Sequence, residues 1–290
     1  MKKRISLLLP TRGRPKLVER FFTSVIAQSA YLELIEVIVC IDDDDIDSHS
    51  ITSNDLDLKL IKVPRQGMGA YNTMCAQRAS GDILIAVNDD IIIRTKNWDE
   101  KVRALDARYP DGVYLGYGND LIKRARFSTF PILTRETCEF LADPYPIAYK
   151  GSFIDAHLMD IFWRLKKRGY DRIAYAEDIV FEHVHYRTNP DALDATYTDR
   201  LRFGDDPTFI ALAESRRLEA DRLVVRISGK CPDVVPYIPR IVVRPTSYLR
   251  IVPLCARKFL LDFDLPLNWR TYLFVWMVAR YYYSRLLRVS

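Results

Sequence analysis

Two acidic clusters in the sequence have the composition of a metal or nucleotide site. Asp42-Asp43-Asp44-Asp45 and Asn88-Asp89-Asp90 each follow directly on an apolar run. Consecutive carboxylates repel one another unless something positive lies among them, so each cluster is either a solvated acidic loop or one wall of a divalent-cation site. For residues 42–45 the two readings weigh equally. For Asn88-Asp89-Asp90 the site is favoured, because the runs at 83–87 and 91–93 hold those acids close to a core. Farther on, His183 and His185 flank Val184, and on an extended segment their rings point to the same side. Imidazole beside carboxylate suits Mn2+ or a similar ion, with Mg2+ favoured where oxygens dominate. A histidine pair taken alone is more often a hydrogen-bonding feature than a ligand set.

These residues need a scaffold that brings them to one place. Residues 4–9 and 36–42 are continuous apolar runs, as expected of strands covered on both faces in a parallel sheet. Between them, residues 15–28 open with Pro15 and place Leu17, Phe21, Val25 and Gln28 at helical spacing, completing a βαβ unit. The alternation continues with a strand at 58–63, a helix at 69–79, a strand at 82–87 and a helix near 98–107. Short strands are predicted at 113–117 and 126–133, and a helix at 155–168 is ended by Gly169. Strands at 173–175 and 179–183 close the sheet. The clusters Pro10-Thr11-Arg12-Gly13-Arg14, Asp42–Asp45 and Asn88–Asp90 thus fall at the carboxyl ends of strands, where ligands bind in open α/β sheets.

With 290 residues, 49% hydrophobic and 28% charged, the chain can bury a substantial core, which excludes a disordered or disulfide-stapled class. Its five cysteines are odd in number and lack a Cys-x-x-Cys pair, so they are expected to be reduced. The apolar stretch after Lys2-Lys3-Arg4 is too short for a signal peptide, and no uninterrupted apolar run is long enough to span a bilayer. A cytoplasmic location follows as the expectation. The net charge of +5 is regional: residues 240–290 carry nine Lys or Arg against Asp262 and Asp264, a balance of +7, leaving −2 for the rest. A boundary is expected near residue 204, dividing 1–204 from a helical extension, 205–290; within that extension six prolines in 231–266 preclude long elements.

Taken in order, the motifs resemble those of the family 2 glycosyltransferases and their GT-A fold, over roughly residues 4–200. The resemblance rests on Ser6-Leu7-Leu8-Leu9-Pro10-Thr11-Arg12-Gly13-Arg14, the strand at 37–41 ending in Asp42, and Gly69-Ala70-Tyr71-Asn72 followed by Ala79-Ser80-Gly81-Asp82. It continues through Val87-Asn88-Asp89-Asp90, Ile154-Asp155 opening a helix that ends in Arg168-Gly169-Tyr170, and Phe181-Glu182-His183. The implied fold is α/β, a Rossmann-like mixed, mostly parallel sheet flanked by helices, with a mainly helical C-terminal extension.

The resemblance also implies roles. Pro10, Thr11, Arg14 and one of Asp42 or Asp43 would line the pocket for the nucleotide base, with Arg65, Gly67, Tyr71 and Asn72 near the base or ribose. Asp90 looks like the last carboxylate of the family's Asp-x-Asp motif, a metal ligand, with Asn88 in the first position and Asp89 between them on the nucleotide side. His183 resembles the later metal-ligand histidine, and His185 is a second candidate. Asp155 matches the general base that removes the acceptor's proton, Ile154 standing where the family has glutamate. As a residue opening a helix, Asp155 also reads as an N-cap, a role compatible with the first. Asp194 and Tyr197 could close over the donor, or serve as a helix cap and a packing aromatic.

The implied activity is inverting transfer of a sugar, with Mn2+ or Mg2+, from a nucleotide-sugar donor, UDP- or GDP-linked; the basic, aromatic tail adds the expectation of a glycan or lipid-linked acceptor in cell-surface polysaccharide synthesis. Residues 269–289 interleave aromatic residues with arginines, as a helix lying on an anionic membrane surface would; the same face also suits packing on the domain or on a second copy of the chain in a homo-oligomer, with the charge excess of the tail favouring lipid. No nucleic-acid motif accompanies it, so nucleic acid is not expected as a partner. Two other readings stay open: a non-catalytic glycan-binding or assembly subunit, motivated by Asn88 and Ile154, and a sugar-phosphate nucleotidyltransferase, which would want a glycine-rich loop where Pro10-Thr11 stands.

Overall fold

Strand β1 (Ile5–Pro10) is buried on both faces and lies at the centre of a βαβ unit with helix α1 (Pro15–Gln28) and strand β2 (Ile35–Asp42). The computed structural model describes residues 2–184, 203–229 and 248–286, with main chain only at Tyr248. β1 pairs in parallel with β2 on one side and with β4 (Ile83–Ala86) on the other, and β2 pairs in parallel with β3 (Asp57–Val63). Helix α2 (Met68–Arg78) crosses between β3 and β4. The remaining strands are β5 (Ile91–Ile93), β6 (Leu115–Asn119), β7 (Ile132–Thr134) and β8 (Ile173–His183), and the order across the sheet is β3-β2-β1-β4-β7-β6-β8-β5. β7 runs antiparallel to both neighbours and β5 antiparallel to β8, so the sheet is mixed and mostly parallel.

The continuous apolar runs exist because helices cover both faces. Leu7, Val37, Ile85 and Phe21 belong to one buried cluster, and Leu8, Ile38, Leu84 and Cys75 to another. Ionised Glu36 is buried between the strands, where it accepts hydrogen bonds from Ser6 Oγ, Lys59 Nζ, Ser80 Oγ and the Ser80 and Gly81 amides. Burial alone would raise its pKa, but these donors outweigh burial and hold it down at about 2, fixing the turn into β4.

The elements predicted from periodicity agree closely, with α3 at Trp98–Asp106 and α5 at Ile154–Lys167. Two differ. The strand predicted over 126–133 is only three residues long, because buried Asp120 folds the preceding segment into a tight loop. One Asp120 oxygen accepts from the amides of Ile122, Lys123 and Arg124, at 3.0, 2.6 and 2.7 Å, and the other from Thr129 Oγ1 at 2.7 Å. The two strands predicted at 173–175 and 179–183 are one, β8, with an irregularity opposite Gly118 and Asn119. The short helix α4 (Arg135–Phe140) follows β7, capped by Thr134.

Beyond residue 203 come α6 (Asp206–Ala211), α7 (Ala213–Ile227), α8 (Tyr248–Cys255), a π-turn (Ala256–Leu260) and α9 (Leu267–Leu286). Their apolar faces share one buried cluster with α5: Phe209, Leu223, Leu273 and Met277 pack with Leu158, Ile161 and Phe162. A buried ionic cluster fastens the same layers. Asp160 of α5 pairs with Arg164 at 2.8 Å and with Arg216 of α7 at 3.0 Å, and Arg164 reaches on to Asp262 at 2.7 Å.

Candidate active site

The first cluster takes shape because Pro10 ends β1 and Gly13, at φ +65°, turns the chain so that Pro15 can open α1. That turn reaches into the second cluster. Arg12 Nη1 bridges Asp42 and Asp44, and the Gly13 amide donates to Asp45 Oδ2 at 2.7 Å. The acidic run 42–45 is therefore held by a cation of the chain itself, a third arrangement beside the solvated loop and the divalent-cation site. Buried Asp42 receives a second hydrogen bond, on Oδ1, from the Tyr71 hydroxyl of α2. Burial and this carboxylate both raise the Tyr71 pKa, so the phenol stays protonated and donates. Asp43 and Arg65 are exposed at the rim.

Gly67 and Gly69 serve a packing role. A Cβ on Gly69 would stand 2.0 Å from the Pro146 carbonyl oxygen, and one on Gly67 2.8 Å from that of Tyr149. Their closeness lets the Met68 and Gly69 amides at the start of α2 donate to Lys150 and Tyr149 carbonyls. Asn72 is buried one turn on, its amide donating to the Met68 carbonyl at 3.0 Å.

In the third cluster the two aspartates face different partners. Asp89 turns toward β1, accepting from Thr11 Oγ1 at 2.7 Å and from Arg14 Nη1 at 2.9 Å. Burial pushes its carboxyl up to about 6; Arg14 opposes that and the Asp90 charge adds to it. Asp90 turns the other way. β5 pairs with β8 so that Ile91 lies opposite His183, and the Val184 amide donates to the Asp90 carbonyl at 2.8 Å. Asp90 Oδ2 and His183 Nε2 are 3.2 Å apart, with the Phe130 ring edge-on to the imidazole. Asn88 is half-buried beside them. His185, Asp194 and Tyr197 lie outside the described residues.

An oxygen and a nitrogen 3.2 Å apart fit neighbouring corners of an octahedral shell, whose donors stand about 3 Å apart for bonds of about 2.1 Å. The donor set suits Mn2+ or Mg2+. Among the described residues no group of three ligating side chains converges; Asp90 and His183 offer two donors.

Asp155 sits in the first turn of α5, its Oδ1 accepting from the Ala156 amide at 2.8 Å. The N-cap position belongs to Phe153, which adopts φ +75°. For a bulky residue that conformation is strained and persists only where packing imposes it; Phe153 is wedged between Phe209 at 4.8 Å and Trp276 at 5.1 Å. Just before it, the Lys150, Gly151 and Ser152 amides all donate to the Asp205 carboxylate, at 3.0, 2.9 and 2.8 Å. The loop after Asp120 ties this helix to the metal-ligand candidates: Ser128 Oγ donates to the Asp155 carbonyl at 3.4 Å, and Phe130, two residues on, meets His183. Arg12, Asp120, Phe153 and Asp205 were not singled out from sequence. Only the Thr-Arg-Gly-Arg spacing beside an acidic run hinted at Arg12.

The sheet order and the placement of these clusters define a GT-A fold. Residues 6–143, from β1 to just past α4, match the family model described as Glycosyl transferase family 2, and over that stretch the chain is similar to this family. Among solved structures, a mannosyltransferase, PcManGT from Pyrobaculum calidifontis in complex with GDP-Man and Mn2+, is similar with 14% identity and a TM-score of 0.50, covering 97% of this chain and 86% of that one. S. aureus TarS 1-349 in complex with UDP gives 16% identity, 97% and 92% coverage and a TM-score of 0.49. Glucosyl-3-phosphoglycerate synthase from Mycobacterium tuberculosis, with Mn2+, UDP and glucosyl-3-phosphoglycerate, gives 17%, 80% and 82%, and 0.48. A sequence search of curated proteins found no match.

Proposed function

We propose that the chain transfers a sugar from a UDP- or GDP-sugar to a hydroxyl of a glycan or lipid-linked acceptor, with inversion at the anomeric carbon, in the synthesis of cell-surface polysaccharide. The observation that carries this reading is the 3.2 Å approach of Asp90 to His183 at a strand end, next to the Asp89–Arg14 pair. We further propose that residues 1–204 form the catalytic unit, that 205–290 form an extension docked on it, and that the protein works peripherally at the cytoplasmic face of a membrane.

In such a transfer the departing diphosphate gains negative charge, the anomeric carbon becomes cationic, and the acceptor oxygen loses a proton. Asp90 and His183 would hold Mn2+ or Mg2+, whose contribution when bound is positive charge against the diphosphate. Asp89 holds Arg14 in place beside Thr11, so the guanidinium is oriented before substrate arrives. Asp42, clamped by Arg12 and Tyr71, presents a fixed polar edge to the base. Asp155, oriented by the Ala156 amide, takes the acceptor proton on its carboxylate.

GDP-Man and Mn2+, held by the Pyrobaculum mannosyltransferase, are the first donor and ion to try. The test is release of free UDP or GDP from a panel of sugar nucleotides with Mn2+, with and without a lipid extract as acceptor. The reading expects release that rises with acceptor, a rise lost in Asp155→Asn; an unchanged acceptor-dependent rise in that variant would reject the assigned base.

A further inference from the structure

We infer that the loop at residues 261–267, leading into α9, is an insertion tip that docks the protein on an anionic lipid surface. This rests on the peripheral-membrane reading above and moves the contact away from the stripe of α9, since Trp269, Leu273, Met277 and Tyr281 are buried against the protein.

A loop in water ordinarily turns its apolar side chains in; this one leaves three of them out while both of its carboxylates face arginines. Leu261, Phe263 and Leu267 are 58%, 71% and 66% exposed. Between them Asp262 turns back to Arg164 at 2.7 Å, and Asp264 lies 3.5 Å from Arg168 and 3.9 Å from Arg217. This arrangement is built into the loop. Leu265 is buried as an anchor, its amide donates to the Asp262 carbonyl at 3.1 Å, and the Asp264 amide donates to Asp262 Oδ1 at 3.3 Å.

Cations border the tip. The Arg270 guanidinium lies 4.7 Å from the Phe263 ring centre, half-buried, with its Nε and Nη1 turned inward. On the π-turn, Arg257 is exposed and Lys258 half-buried. α8, which packs on the π-turn and on α9, adds Leu249, 84% exposed, and Val252 one turn on. Protruding apolar side chains, bordering cations and paired carboxylates match anionic headgroups above disordered acyl chains. A protein partner would call for a complementary shaped surface, which isolated protruding side chains do not offer. No helix among the described residues is long and apolar enough to cross a membrane, so the contact is interfacial.

The test is co-sedimentation of the full chain with vesicles of phosphatidylcholine alone and of phosphatidylcholine mixed with phosphatidylglycerol. The wild type is expected to sediment with the mixed vesicles. The double variant Phe263→Asp/Leu267→Asp should weaken binding about tenfold or more, and Arg270→Gln should weaken it chiefly on the anionic vesicles. The double variant alters exposed side chains and should keep the wild-type melting temperature, and both variants should keep the shift with nucleotide and Mn2+, so loss of vesicle binding is separable from loss of the transferase site. No binding by the wild type, or equal binding by the double variant, overturns the inference. So does a wild-type dimer in sedimentation velocity that the double variant dissociates, which would make this face a contact between copies.

Discussion

Asp90 and His183 lie 93 positions apart in the chain, yet their side chains meet at 3.2 Å because β5 and β8 pair with Ile91 opposite His183. One residue earlier, Asp89 is committed to Thr11 and Arg14. The two adjacent carboxylates therefore face separate partners, Asp90 the His183 imidazole and Asp89 the end of β1.

Removing either metal-side donor should leave the fold and abolish the reaction. Asp90→Ala and His183→Ala are each expected to lower transfer by at least about 10²-fold, the scale of losing electrostatic stabilisation of a developing charge. Rates measured across a Mn2+ titration check this, and a variant restored to wild-type rate without added metal would contradict the assignment.

Asp155→Asn removes the proton acceptor with little change of shape. It should cut kcat by about 10²- to 10⁴-fold while donor binding stays as in the wild type. Separate measurement of nucleotide binding and turnover decides it; weakened donor binding at unchanged kcat would assign Asp155 to the donor side.

His157, two residues along α5, is fully buried with Nδ1 against the Tyr149 hydroxyl at 3.0 Å, and burial followed by the nearby Arg216 charge holds its pKa well below 6.5. The unfolded chain takes up a proton as pH falls through 6.5 and the folded chain does not, so stability from this group is full above 6.5 and declines below it. The decline approaches about 1.4 kcal/mol per pH unit. Urea denaturation at several pH values should show this slope in the wild type and not in His157→Gln; parallel profiles would count against it.

Gly69→Ala tests the contact between α2 and the loop ahead of α5. A Cβ 2.0 Å from a main-chain oxygen must displace backbone. The melting temperature should fall by several degrees, whereas Gly13→Ala, with nothing within 4 Å, meets only the cost of its positive φ. Equal small shifts in both variants would show that the loop at 146–150 yields freely.

Much of the fold was legible because its signals are local. Pro15 marked the start of α1 and the buried runs marked β1 and β2 to within a residue. What was not legible depends on pairing in space. Strand register decides that Asp90, and not Asp89, meets His183. The neutralisation of residues 42–45 needed Arg12 from the neighbouring strand end. The apolar stripe of α9 reads alike whether it meets lipid or protein, and only packing shows that it is covered by the protein, with Trp269 against Asp160 and Trp163 of α5 and Trp276 against Phe153. Of the strand expected at 126–133 only the last residues are strand, because the hydrogen bonds to Asp120 that bend the preceding segment are invisible to periodicity.

The proposed nucleotide-sugar site would be completed by a divalent cation at Asp90 and His183. It is tested most directly by melting the chain with UDP and with GDP, each with and without Mn2+, in the wild type and in Asp90→Ala, because a ligand bound only by the folded state raises the midpoint. The account predicts a rise with one nucleotide that needs Mn2+ and vanishes in the variant. A rise that is independent of Mn2+ and survives in Asp90→Ala, or no rise with either nucleotide, would contradict it.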